Sequence, residues 1–217
     1  YIDDVTGALL DPRQVEKARA EEINLVHKYK VYEKVPIKLC WDITGKKPTA
    51  VIWVDINKGD DERPEYRSRM CIRETRRSTP FVGIEHMNFA SMPPYETLKF
   101  LASLCMSVKF STKGKRLKMG FVDISRAHWR SPVQRDLFFE LPWEDAEEGM
   151  CGRQLMSMYG NRDAANNWER KYTGVLTAAG FVAGVGCVVL FVHVDNLQDG
   201  VVPLVVLVGL AVHLDLA

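Results

Sequence analysis

The chain has 217 residues, 47% hydrophobic and 26% charged, enough to bury a core in one large domain or two small lobes and unlike a disordered or fibrous chain. A formal charge of +1 gives no overall preference for an anionic partner, but all 29 Lys and Arg residues lie at or before Lys171, and Tyr172 to Ala217 holds 13 valines and no Lys or Arg. Cys40, Cys71, Cys105, Cys151 and Cys187 are scattered, with no C-x-x-C pair, which argues against a zinc site or disulfide framework and for buried thiols in a reducing compartment.

Asp11-Pro12 has the chemistry of a helix start, and Arg13 to Tyr29 carries Val15, Ala18, Ile23 and Val26 at helical spacing. Val31 to Cys40 has the β-branched content of a strand, and Thr44 to Pro48 reads as a turn. Ala50 to Asp55 alternates as a strand, and Tyr66 to Ile72 resumes one after a polar loop. Arg67 and Arg69 fall on one face of that strand at period two, so the pair of strands predicts a hairpin with a basic face suited to an anionic partner. Pro93-Pro94 opens a helix from Tyr95 to about Val108. Lys118 to Ile124 is a short apolar strand ending in Asp123, Leu137 to Leu141 is another, and Asp163 to Ala179 is a helix ended by Gly180. The apolar run Val201 to Val212 is interrupted by Pro203 and Gly209 and is too short for a membrane span of ~20 residues, so strands are expected there. The mixture lacks strict βαβ alternation and predicts the α+β class.

Charge is blocked along the chain. Arg63 to Arg77 has six arginines against two acids, Lys109 to Lys118 has five bases, and Asp136 to Glu148 has six acids. Such runs usually mark solvated faces. Asp123 is the most informative single position, because a carboxylate after an apolar strand can be handed to a cleft. Nucleotidyl transfer uses such oxygen ligands to hold divalent ions. Position alone reads as a strand cap or turn former.

The neighbours add to this. Trp53-Val54-Asp55, Tyr66-Arg67-Ser68-Arg69, Pro93-Pro94 with its helix, and Phe121-Val122-Asp123 running on to His128 follow one another in that order. Arg135 to Pro142, Met158-Tyr159-Gly160, Trp168 and Gly180-Phe181 come after them. This ordered set, over residues 11 to about 193, resembles the reverse transcriptase domain of Ty1/copia retrotransposons. The resemblance implies polymerase fingers and palm without the thumb, with residues 1–92 fingers-like, 93–129 palm-like, 130–158 a fingers-like return, 159–193 a palm-like helix and strand, and 194–217 an apolar degenerate tail.

By the same resemblance Asp123 matches the first catalytic, magnesium-binding aspartate. Arg67 and Arg69 match the strand that reaches the incoming triphosphate, and Gly160 and Arg162 lie in the segment lining the nucleotide pocket. The implied partners are an RNA template, a DNA primer and deoxynucleotides, with Mg2+ as cofactor. The sequence departs from the family at Asp163 and Ala165, where Gln and Pro are commoner, and at His128, where Phe is. The family's Tyr- or His-x-Asp-Asp element has two partial counterparts: His193-Val194-Asp195-Asn196, and His213-Leu214-Asp215-Leu216. Tyr1-Ile2-Asp3-Asp4 has the right composition but stands in the wrong order. The missing carboxylate pair leads to the expectation of lost polymerase activity. The competing expectation is a non-catalytic remnant that binds nucleic acid or serves as a structural subunit, docking a protein assembly through the apolar tail. No signal peptide is visible, and an intracellular place in cytoplasm or nucleus is expected.

Overall fold

A computed structural model describes residues 1–60, 62–75, 99, 102–103, 106–107, 118–184, 187–193 and 204–209. The chain falls into two compact units, one of residues 1–88 with 128–167 and the other of residues 89–127 with 168–217. The class is α+β.

In the first unit, α1 spans Pro12–Lys28, and the Asp11 side chain accepts from the Arg13 N–H at 2.9 Å. The predicted stripe is buried and lies against the second strand of the hairpin. Strand β1 covers Tyr32–Pro36, and α2 follows at once over Ile37–Thr44. The single strand expected for Val31 to Cys40 is therefore corrected to a strand plus a helix. Pro36 has no N–H to extend the ladder, and the next turn buries Cys40 against Phe138 and Cys151.

The hairpin forms as expected from β2 (Val51–Asn57) and β3 (Tyr66–Ile72), with Val54 opposite Arg69 and Ile56 opposite Arg67. Ser68, Met70 and Ile72 are buried on the α1 side, so Arg67, Arg69 and Cys71 take the other face. Ile23, Val26, Val31, Tyr32, Met70, Ile72, Trp129, Phe139 and Met158 make the main core.

Strand β4 is Lys118–Asp123. Strand β5 is only Phe138–Phe139, shorter than the predicted Leu137 to Leu141, because Glu140 N–H turns to the Thr49 carbonyl at 2.9 Å. Strand β6 (Met150–Gln154), which the pattern did not announce, is the centre of a three-stranded sheet ordered β1-β6-β5.

The predicted helix after Gly160 is α3, Ala164–Ala178, and Gly180 follows it with φ +87°. In the second unit β7 (Phe181–Gly184), β8 (Cys187–His193) and β9 (Leu204–Gly209) join β4 in a sheet ordered β4-β9-β8-β7. The strands expected in the apolar stretch are thus present over Leu204–Gly209. The helix expected from Tyr95 to Val108 lies mostly outside the described residues, of which Lys99, Ala102, Ser103, Met106 and Ser107 are helical. Among the described residues no helix is long and apolar enough to cross a membrane.

One ionic cluster gives the first unit a pH dependence. Asp145 accepts from Tyr32 Oη and pairs with Lys34 Nζ and His27 Nε2, each at 3.1 Å. Burial pushes its carboxyl up, but the Tyr32 and Lys34 hydrogen bonds and the nearby positive charges prevail and hold it below the ordinary 3.8. A depressed carboxyl contributes stability above its unfolded value and loses it as pH falls through the folded one. Asp145→Asn is therefore expected to flatten the decline of the urea midpoint below about pH 4. An unchanged acid limb would contradict that role.

Candidate functional site

The face of β3 that carries Arg67 and Arg69 runs into the turn before α3. Cys71 bridges Tyr159 in parallel, and the Ile72 N–H donates to the Tyr159 carbonyl at 2.8 Å. Gly160 then takes φ +86°, and a Cβ there would stand 2.0 Å from the Ile72 carbonyl oxygen. Only glycine permits that approach. The two motifs are ninety residues apart in sequence, and backbone contact joins them.

Three side chains meet at Tyr159. The Arg69 guanidinium carbon lies 5.2 Å from the ring centroid, within cation–π reach. The His128 ring approaches edge-on at 5.6 Å and 85°, and Trp129 flanks it at 6.5 Å. Burial pushes His128 below its ordinary 6.5, only partly offset by a backbone hydrogen bond at Ala164, so the imidazole is neutral at pH 7. Arg69 Nε and His128 Nδ1 are buried and have no hydrogen-bond partner among the described residues. Unsatisfied buried nitrogens cost about 1–3 kcal/mol each and mark a place for a ligand atom or water.

The turn is held in place by a polar network. Asn161 Oδ1 accepts from Met158 N–H at 2.7 Å and also from Gln154 Nε2, while Asn167 Nδ2 donates to Ser157 Oγ at 3.2 Å. Arg135 clamps Glu74 through two bonds of 2.6 and 2.7 Å and Asp163 through two of 3.1 and 3.0 Å. Burial pulls the guanidinium down, yet these carboxylates hold it above its ordinary value. Glu74 also accepts the Arg162 N–H at 3.0 Å. Asp163 thus has an ion-pair partner. Removing Glu74 leaves Arg135 half-served, and Glu74→Ala is expected to destabilise by about 2–3 kcal/mol in urea denaturation. A loss under about 0.5 kcal/mol, the range of ordinary surface changes, would contradict the clamp.

Of the expected site residues, Arg69 and Gly160 come together at Tyr159. Arg67 is two residues up the same face, and Arg162 is tied to the end of β3 through its backbone. Asp195 and Asp215 lie outside the described residues, and only the backbone of Asp123 is described. That backbone pairs in parallel with β9, Asp123 opposite Gly209, at the far end of β9 from Leu204, where the chain arrives from β8. Among the described residues no three His, Cys, Asp or Glu side chains group so as to hold a metal ion.

Tyr1-Ile2-Asp3-Asp4 serves as a clasp. Asp3 accepts from Val5, Thr6 and Asn57 N–H groups, and Asp4 Oδ2 accepts from Asp55 N–H at 2.7 Å. The Arg135 clamp escaped the sequence reading, because its partners stand 61 and 28 residues away. The one local signal was an arginine directly before the acidic block Asp136 to Glu148.

Against family models, curated proteins and solved structures alike, the chain gives no match.

Proposed function

We propose that the chain is a fragment of a Ty1/copia-type reverse transcriptase that binds an RNA template paired with a DNA primer and has lost the ability to extend it. The observation that carries this reading is the joining of the arginine strand to the Tyr159-Gly160 turn, with Arg69 and neutral His128 each offering an unmet buried nitrogen beside Tyr159. The chain also crosses three times between its two units, an alternation that supports a reading as fingers and palm segments. Loss of extension follows from the sequence: Asn196 and Leu216 stand where the family has its second adjacent aspartate. An amide keeps an oxygen but gives up the charge that offsets a metal, and leucine gives up both.

Fluorescence anisotropy with a labelled RNA–DNA template–primer tests the binding half. Affinity is expected to fall steeply with salt as counterions are displaced. Arg69→Ala should reduce the salt slope by about one, and Arg67→Ala likewise. Salt-insensitive binding, or none, would remove the reading.

A further inference from the structure

We propose that the first unit pairs with a second copy of the chain, each copy seating Trp143 and its flanking acids in the other's cationic cleft. The cleft has a volume of about 780 Å³ and lies between the end of α2, the start of β2 and the loop before β5. That is ample for a ring side chain, since built ligand sites run about 300–1,000 Å³.

The cleft combines a buried apolar lining with open charge. Cys40, Pro48 and Phe138 line it and are buried, while Trp41 lines it and is 50% exposed. Lys46, Lys47 and Arg73 are exposed lining residues with no ion pair among the described residues. Arg135 is already committed to Glu74 and Asp163, and Asp136 to Arg153 at 3.3 Å, so the charge left over is positive. Gly45 closes α2 at φ +64°, its N–H bonding to the Trp41 carbonyl at 2.9 Å, and Thr44 Oγ1 accepts from Lys46 N–H at 3.2 Å. The turn that presents the lysines is thus ordered before a partner arrives, which lowers the entropy lost on docking.

The same unit carries the complement. Trp143 is 68% exposed, a large apolar surface left in water. Glu144 and Asp145 turn inward to Arg19 and Lys34, and Glu147 reaches Lys34 at 3.4 Å. Glu140 and Glu148, on either side of Trp143 in the chain, are exposed and have no ion pair among the described residues. This acidic segment begins at the cleft wall, because Glu140 N–H donates at 2.9 Å to the carbonyl of Thr49, itself a lining residue.

Two open indoles and two unpaired sets of opposite charge on one unit make a self-complementary surface. A two-fold pair satisfies such a surface twice, cleft to acidic segment and acidic segment to cleft. Aromatic anchors ringed by polar contacts are also the usual anatomy of a protein interface. An unrelated acidic partner would have to supply what this chain already displays. The assignment stands on the surface chemistry of the first unit and does not rest on the polymerase reading.

Sedimentation velocity of the whole chain over a series of concentrations is expected to show a monomer–dimer equilibrium that weakens with salt. Trp143→Ala should raise the dimer dissociation constant about thirtyfold, the loss of one interface anchor. The charge-reversed pairs Lys46→Glu with Lys47→Glu, and Glu140→Lys with Glu148→Lys, should each sediment as monomers. Mixed together they should form a heterodimer, because both contacts then join opposite charges. Circular dichroism checks that each variant folds. A monomeric parent, charge-reversed variants that dimerise as the parent does, or a mixture that stays monomeric overturns the assignment. With a monomeric parent, binding of a glutamate-rich peptide or an oligonucleotide that Lys46→Glu with Lys47→Glu abolishes would give the cleft to that ligand instead.

Discussion

Replacing Arg19 by Met is expected to destabilise the chain by about 3–5 kcal/mol, the cost of leaving buried charges without their partner. Arg19 sits on the buried stripe of α1. It holds Asp55 through Nε at 3.2 Å and Nη2 at 2.5 Å, and Glu144 through Nη1 at 3.0 Å. The three side chains are only 11%, 7% and 11% exposed. Ser68 Oγ also donates to Asp55 at 2.6 Å, and Trp53 Nε1 donates to Glu144 at 3.1 Å. The guanidinium stacks between Tyr1 and Trp53, at 4.7 and 5.0 Å. Burial pulls its pKa down, but the two carboxylates outweigh that and raise it. Arg19→Met keeps the stem's packing and orphans two carboxylates. Converting Asp55 and Glu144 to amides in the same chain should recover part of the loss, since the uncompensated charge is then gone. Urea unfolding followed by tryptophan fluorescence reads both, with exposed Arg13→Met as the control expected within about 0.5 kcal/mol. A cost for Arg19→Met inside the control's range would mean that the cluster is solvated.

Gly160→Ala is expected to cost more than about 3 kcal/mol and to abolish template–primer binding. Left-handed backbone alone costs an alanine about 1–2 kcal/mol. The new methyl would also meet the Ile72 carbonyl oxygen at 2.0 Å, a backbone atom that cannot yield without breaking the β3–Tyr159 junction. Gly174→Ala is the contrast: it lies within α3, with nothing within 4 Å of the added carbon, and should stabilise by about 0.5–1 kcal/mol. If Gly160→Ala is tolerated while Gly174→Ala behaves as stated, the junction is looser than its geometry implies.

What the sequence revealed of this fold was local. The Asp11 cap, the alternation through Trp53 and the stripe of α3 each follow from neighbours within a turn or a pleat. What it concealed depends on distant partners. Strand β6 has no β-branched residue, and its place in the middle of a sheet comes from Tyr32–Pro36, more than a hundred residues earlier. Helix α2 was hidden by the β-branched run before it and is stabilised by the burial of Cys40 in a cluster with Phe138 and Cys151. Arg19 carries no motif of its own, although it falls four residues from both Val15 and Ile23 on the buried stripe, and that position was the available clue. Of the candidate site, Arg69 and Gly160 were legible through ordered motifs. The roles of His128 and Arg135 were not, because burial and charge pairing across the fold set them.

The most direct test is one gel experiment in magnesium with deoxynucleotides, read for both retention and elongation of a labelled primer on an RNA template, with Asp123→Ala alongside. Both proteins are expected to retard the template–primer in a salt-dependent way, and neither to lengthen the primer. Elongation that disappears in Asp123→Ala would contradict the loss of catalysis, and failure of both proteins to retard the template–primer would contradict the polymerase ancestry itself.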